Sequence, residues 1–116
     1  MENKLNHTEC PAIETMALIG GRWKVTILHV LSKGARRFGE INVRIPAISR
    51  KVLTEQLREL ETDGLVSRKQ YKELPPRVEY ALTAFGKSLC PLLIYMAAWK
   101  RNVEDPPVED NTQLPD

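Results

Sequence analysis

At 116 residues, 42% hydrophobic and 28% charged, the chain has room for one modest core and none for a second, catalytic domain. The formal charge of +2 hides an uneven split: Glu104, Asp105, Glu109, Asp110 and Asp116 against Arg101 put residues 101–116 at −4 and the preceding hundred at +6, so the body suits a polyanionic partner. The longest nearly unbroken apolar run, Leu89 to Trp99, falls short of the roughly 20 residues of a membrane-spanning helix, and the polar Asn3, Lys4, Asn6, His7 and Glu9 do not form a signal peptide, which together predict a cytoplasmic protein with no membrane contact.

Pro11 opens a short helix in which Ile13, Met16 and Ala17 fall at helical spacing, and Gly20-Gly21 closes it. A second helix is expected from Arg22 to about Ser32, its Trp23, Ile27, Val30 and Leu31 facing the core and Gly34 following its C-terminus. Phe38, Ile41 and Ile45 give a helical pattern from Arg37 to Arg44, which Pro46 stops, so residues 45–48 form a tight connection. Ser49 is a good N-cap for the next helix, whose Leu53, Leu57 and Leu60 recur until Asp63-Gly64.

The stretches Leu65 to Tyr71 and Arg77 to Thr83 suit two strands. Between them Lys72-Glu73-Leu74-Pro75-Pro76 predicts a stiffened loop, giving a hairpin with a protruding, basic tip. Thr83 can cap a last helix from Ala84 to about Lys100, which Pro91 should bend or split. That helix is apolar on two sides: Phe85, Leu89, Leu92, Leu93 and Met96 make one stripe, while Ile94, Tyr95 and Ala98 lie roughly opposite. A monomer this small can cover one such face, so a homodimer is expected, with Leu93, Ile94, Tyr95, Ala98 and Trp99 as candidate interface residues. The acidic residues 101–116, with Pro106, Pro107 and Pro115, read as a disordered tail.

Helix, turn, capped helix and basic hairpin is an order that lays one helix in a major groove while a β-ribbon reaches a neighbouring groove or the backbone. With the leucine stripe buried, Ser49, Arg50, Lys51, Thr54 and Arg58 point outward as candidates for contact with double-stranded DNA, since Arg and Lys donate to guanine edges or phosphates and hydroxyls to either. The hairpin adds Lys69, Lys72 and Arg77, together with Arg68, against Glu73. A solvated helix face and a solvated charge run are the plainer readings of each patch taken alone. A winged-helix protein-interaction module without DNA binding is the alternative function. No Gly-rich phosphate loop, nucleophile elbow or paired carboxylate setting suggests an enzyme, and no cofactor or metal is implied, because Cys10 and Cys90 lack the paired spacing of a zinc site.

Cys10-Pro11, Ile19-Gly20-Gly21-Arg22-Trp23-Lys24, Arg37-Phe38-Gly39-Glu40-Ile41, Ile48-Ser49-Arg50-Lys51-Val52-Leu53-Thr54, Leu57-Arg58-Glu59-Leu60-Glu61, Asp63-Gly64-Leu65-Val66 and Pro75-Pro76-Arg77-Val78-Glu79-Tyr80 occur in an order that resembles the HxlR-type winged helix-turn-helix regulators, bacterial relatives of the MarR family. The resemblance covers about residues 10–100. Ala47 departs from it where glycine is common, and the acidic tail is not part of the pattern. It implies an α+β, mostly α, winged helix-turn-helix with N- and C-terminal dimerisation helices. It also implies a homodimer that represses or activates a nearby operon from a pseudo-palindromic site. The expected organisation is an arm over 1–9, the DNA-binding and dimerisation domain over 10–100, and the tail over 101–116.

Cys10 suggests a role beyond binding. Directly before Pro11, its sulfur lies at a helix N-terminus, where unsatisfied N–H groups favour an anion; it is a candidate redox-sensing residue with a small electrophile or oxidant as effector. The resemblance carries the same implication for some members. A small buried hydrophobe is the competing reading. Cys90, in the apolar last helix, is read as structural.

Overall fold

Pro11, locked near helical φ and needing no N–H, opens α1 (Pro11–Ile19). It is the first element of a computed structural model that describes residues 10–104; the arm expected over 1–9 and the acidic stretch beyond Glu104 lie outside the described residues. α1 closes where the Gly20 N–H donates to the Met16 carbonyl at 2.7 Å. It buries Ile19 alone, while Ile13 and Met16 stay 40% and 52% exposed.

The second helix, α2 (Lys24–Leu31), starts two residues later than expected. Gly21 at φ 92° turns the chain, and the Arg22 guanidinium packs 4.5 Å over the Trp23 ring, so residues 21–23 form the bend into the helix rather than its first turn. From α2, Ile27, Leu28, Val30 and Leu31 enter the core. A two-residue strand, β1 (Arg36–Arg37), follows, an element with no signal in its own sequence.

α3 (Phe38–Arg44) begins with the Arg37 N–H donating to Glu40 Oε1 at 2.8 Å and stops ahead of Pro46. The connecting turn is held by the Asn42 amide, which donates to the Ile48 carbonyl at 3.2 Å, and by the Ile48 N–H on the Ile45 carbonyl. Ser49 then caps α4 (Arg50–Thr62), its Oγ accepting from the Val52 N–H at 3.1 Å. Leu53, Leu57 and Leu60 are buried as their spacing predicts, and Gly64 at φ 81° ends the helix in a conformation open to glycine.

β2 (Val66–Tyr71) and β3 (Arg77–Leu82) form the expected hairpin, pairing Val66 with Leu82 through to Tyr71 with Arg77. β1 adds to the other edge of β3, with Arg36 opposite Tyr80 and Arg37 opposite Glu79, for an antiparallel order β1-β3-β2. The core lies where α2, α3, α4 and the base of the sheet meet, closed by Leu65, Val66, Leu82 and Leu89.

The last helix is split, as Pro91 predicts, into α5 (Ala84–Ser88) and α6 (Cys90–Glu104). Pro91 falls in the first turn of α6, where a missing N–H leaves no bond unmade. Thr83 caps α5 by accepting from the Gly86 N–H at 3.0 Å and itself donates to the Gly64 carbonyl at 2.6 Å. α6 runs to Glu104, four residues beyond the end expected at Lys100, so the stretch taken as tail from residue 101 begins as helix. The architecture is mostly helical with one small antiparallel sheet, a winged helix-turn-helix with α3 and α4 as the helix pair and the β2–β3 hairpin as the wing.

Candidate nucleic-acid interface

The buried leucine stripe turns the opposite face of α4 to solvent. Ser49, Arg50, Lys51, Thr54 and Arg58 are all exposed there, but they are not equally available. Ser49 Oγ is used as the cap, and the Thr54 hydroxyl donates back to the Arg50 carbonyl at 2.9 Å, leaving its oxygen free to accept. The Arg50 guanidinium lies 4.7 Å from the centre of the Phe38 ring, tying the start of α4 to the start of α3. Lys51, with a side chain 84% exposed, sits 3.5 Å from Glu55 in a solvent-screened i,i+4 pair worth a few tenths of a kcal/mol, about 0.3–0.5. Lys51 and Arg58 are therefore the extended cations of the helix face.

On the wing, Tyr71 organises the charges. Lys69 Nζ stands 4.9 Å from its ring centre and the Arg77 guanidinium 4.0 Å, because residues 69 and 71 share a face of β2 and Arg77 is the cross-strand partner of Tyr71. Arg77 also pairs with Glu73 at 2.9 Å and Glu79 at 3.4 Å, and its side chain is 26% exposed. Its charge is thus committed within the hairpin, where it braces the tip. Arg68, Lys69 and Lys72 remain exposed along β2 and the loop.

Several residues with a part in this surface carry no signal that the sequence reading used. Arg36 and Arg37 bring two guanidinium groups to the sheet edge beside α3. The Arg37 N–H bonded to Glu40 holds that carboxyl below its ordinary value, burial opposes this, and the charges of Arg37, Arg36 and Arg44 add to the lowering. Lys24, 9% exposed, crosses from α2 to the outer end of α4, where its Nζ meets Glu59 Oε1 at 2.6 Å. A lysine in register with Ile27, Leu28 and Leu31 was the available clue, since a charge on an apolar stripe needs a counter-charge.

Cys10, at the N-cap position of α1, is exposed with extended backbone (φ −148°, ψ 105°), and its sulfur makes no capping bond to α1. Cys90 is half-buried. The five candidate interface residues on α6 do not share one face. Leu93 packs on the core and Ala98 is half-buried, while Ile94, Tyr95 and Trp99 are 68%, 70% and 60% exposed. Tyr95 and Trp99 fall in a run of exposed apolar side chains with Leu92, Met96 and Val103, at i, i+3, i+4, i+7 and i+11.

The family model described as HxlR-like helix-turn-helix matches residues 18–107. The chain is 45% identical over 96 residues, 83% of its length and 75% of the relative's, to the uncharacterized HTH-type transcriptional regulator YdeP of Bacillus subtilis. Among solved structures it is similar to the redox regulator HypR in its reduced form, with a TM-score of 0.78 and 42% identity over 83% of this chain and 95% of that one. It is also similar to the reduced form of the transcriptional regulator YodB from B. subtilis, with a TM-score of 0.77 and 40% identity over 86% and 99%. HypR has also been solved oxidized, and YodB diamide-treated and quinone-bound. With Lys51 and Arg58 extended from a helix-turn-helix and these relatives on every side, the chain belongs to the HxlR-like helix-turn-helix family and is a transcriptional regulator of HTH type, not an enzyme.

Proposed function

We propose that the chain is a homodimeric regulator that binds a pseudo-palindromic DNA operator and answers to thiol chemistry at Cys10. The observation that carries the DNA reading is the outward edge of α4, where Lys51 and Arg58 extend beside the Arg50–Phe38 stack with the leucine stripe buried behind them. α4 enters the major groove with Ser49, Arg50, Lys51, Thr54 and Arg58 toward it. Arg68, Lys69 and Lys72 of the wing meet phosphates, and Arg77 supports them from within the hairpin. The exposed Leu92, Tyr95, Met96 and Trp99 of α6, with Ile13 and Met16 of α1, form the contact between two copies.

The exposed sulfur of Cys10 supports the thiol switch, as do the redox-regulator and quinone-bound relatives. Diamide would oxidise Cys10 and a second thiol to a disulfide and be reduced to its hydrazine. A quinone would form one C–S bond to Cys10 and become the substituted hydroquinone, keeping the thiol proton on oxygen.

The deciding experiment is fluorescence anisotropy on DNA fragments across a salt series. Wild type should bind selected sequences, and Arg58→Ala or Lys51→Ala should lose about 1–3 kcal/mol of sequence-specific affinity if the contact is to a base, or about one unit of salt slope if to a phosphate. Diamide should release wild type and leave Cys10→Ser bound. Sequence-independent or absent binding would favour a protein-interaction module.

A further inference from the structure

Two cavities meet at Cys90. The larger, of about 610 Å³, opens between α2 and α6, and the smaller, of about 320 Å³, lies beside the end of α2 and the base of β3. The larger is within the range of small-molecule clefts, roughly 300–1,000 Å³. Val25, Leu93, Ile94 and Ala97 supply its apolar walls, and His29, Lys33 and Arg101 its rim. Among the described residues no carboxylate lines either cavity, Lys87 adds a further cation to the smaller, and neither Lys33 nor Arg101 is in an ion pair. Like charges gathered over an apolar trough, with no acid of the described residues in its lining, are an electrostatic complement to an anion.

The cleft is separate from the surface assigned to the contact between copies. Cys90, Leu93, Ile94, Ala97 and Arg101 line it from α6 at i, i+3, i+4, i+7 and i+11. The exposed stripe Leu92, Tyr95, Met96, Trp99 and Val103 has the same spacing, offset by two residues, which at about 100° per residue places it on the far side of the helix.

We propose that the α2–α6 cleft binds an amphipathic organic anion, a carboxylate on an aromatic or similarly apolar body. The body lies against Val25, Leu93, Ile94 and Ala97, and the carboxylate faces Lys33 and Arg101. Binding of such a molecule does not depend on the DNA-binding reading, so the two can fail separately.

The probe is 1-naphthoate, with the neutral 1-naphthamide as its control, titrated into the full chain and followed by calorimetry and by backbone amide shifts. Naphthoate should bind with shifts centred on Val25, His29, Lys33, Leu93 and Ala97, and more tightly than naphthamide. Lys33→Ala with Arg101→Ala should weaken naphthoate by at least about tenfold, the loss of a charge-assisted contact, and leave naphthamide unchanged. Ala97→Trp, which fills the trough from an exposed helix position, should abolish both. No naphthoate binding, equal affinity for the two probes, an undiminished affinity in the double variant, or shifts centred on Leu92, Tyr95 and Trp99 would each overturn the proposal. So would binding that appears only after Trp99→Asp has separated the copies, since the cleft would then be filled by a second chain.

Discussion

The contact between Lys24 and Glu59 joins α2 to the helix that carries the candidate DNA face, and its two ends differ in burial: the Lys24 side chain is 11% exposed and that of Glu59 56%. Removing either partner therefore has unequal consequences. Glu59→Ala strands an ammonium in the protein interior, whereas Lys24→Met leaves a carboxylate that water can solvate and an apolar stem that still packs. Breaking a fully buried pair costs about 3–5 kcal/mol, and losing a hydrogen bond to a charged group about 1.5–3. With one end half in solvent the lower range applies, so Glu59→Ala should cost about 2 kcal/mol and Lys24→Met no more than about 1. The double variant should lie near Lys24→Met, because no stranded charge remains, which gives a coupling of about 1–2 kcal/mol. Urea unfolding of the four proteins measures this directly, provided the m-values agree. Equal costs for the two single variants, adding in the double, would refute the claim that burial of Lys24 makes the pair matter.

Gly86 is buried with the Leu65 carbonyl oxygen where a Cβ would stand, so Gly86→Ala should force α5 off the turn at Gly64–Leu65 and cost roughly 1–3 kcal/mol in the same unfolding assay; a cost within error of zero would mean α5 can shift freely. The lowered Glu40 carboxyl means that its contribution at the start of α3 is complete above its unfolded value and is lost as pH falls through the lower folded one. Urea midpoints measured between about pH 3 and pH 6 should therefore fall less steeply in Glu40→Gln than in wild type. Tyr95→Asp with Trp99→Asp puts charge into the exposed stripe of α6 and should convert a dimer at micromolar concentration to monomer in sedimentation; a wild type that is already monomeric would remove the stripe as an interface.

The elements whose geometry follows from short-range spacing were legible in the sequence. The leucines of α4, the Ser49 and Thr83 caps, the stop ahead of Pro46 and the prolines of the wing loop each act within a few residues, and each is where its chemistry requires. What was not legible depends on partners distant in the chain. β1 exists because β3 offers Arg36 and Arg37 a ladder edge, and two arginines have no strand preference of their own. Lys24 reaches Glu59 across 35 residues. Arg77 reads as a free cation until the hairpin register sets it on Tyr71 between Glu73 and Glu79. The register in which α6 meets the body was not legible either: Leu93, on the same sequence stripe as Leu89, packs on the core, whereas Leu92 and Met96 of that stripe are exposed.

The same register gives the two candidate inputs different routes to α4. α1 meets the core chiefly through Ile19 and Leu18, so in the proposed dimer a change at Cys10 would act on the exposed side of α1 and on how two copies meet, hence on the spacing of their recognition helices. The cleft acts within one copy. Val25, Thr26 and His29 of α2 line it, while Lys24 on the same eight-residue helix holds Glu59 of α4. A ligand wedged against one side of α2 therefore bears on α4 through a contact 2.6 Å long, without passing through the contact between copies. The two routes separate by perturbation. Lys24→Met should weaken the effect of a cleft ligand on DNA affinity while leaving its binding intact, and should leave the diamide response unchanged. Charge in the α6 stripe should abolish the diamide response while leaving cleft binding intact. If Lys24→Met preserves the ligand's effect on DNA in full, α2 is not the element that transmits it.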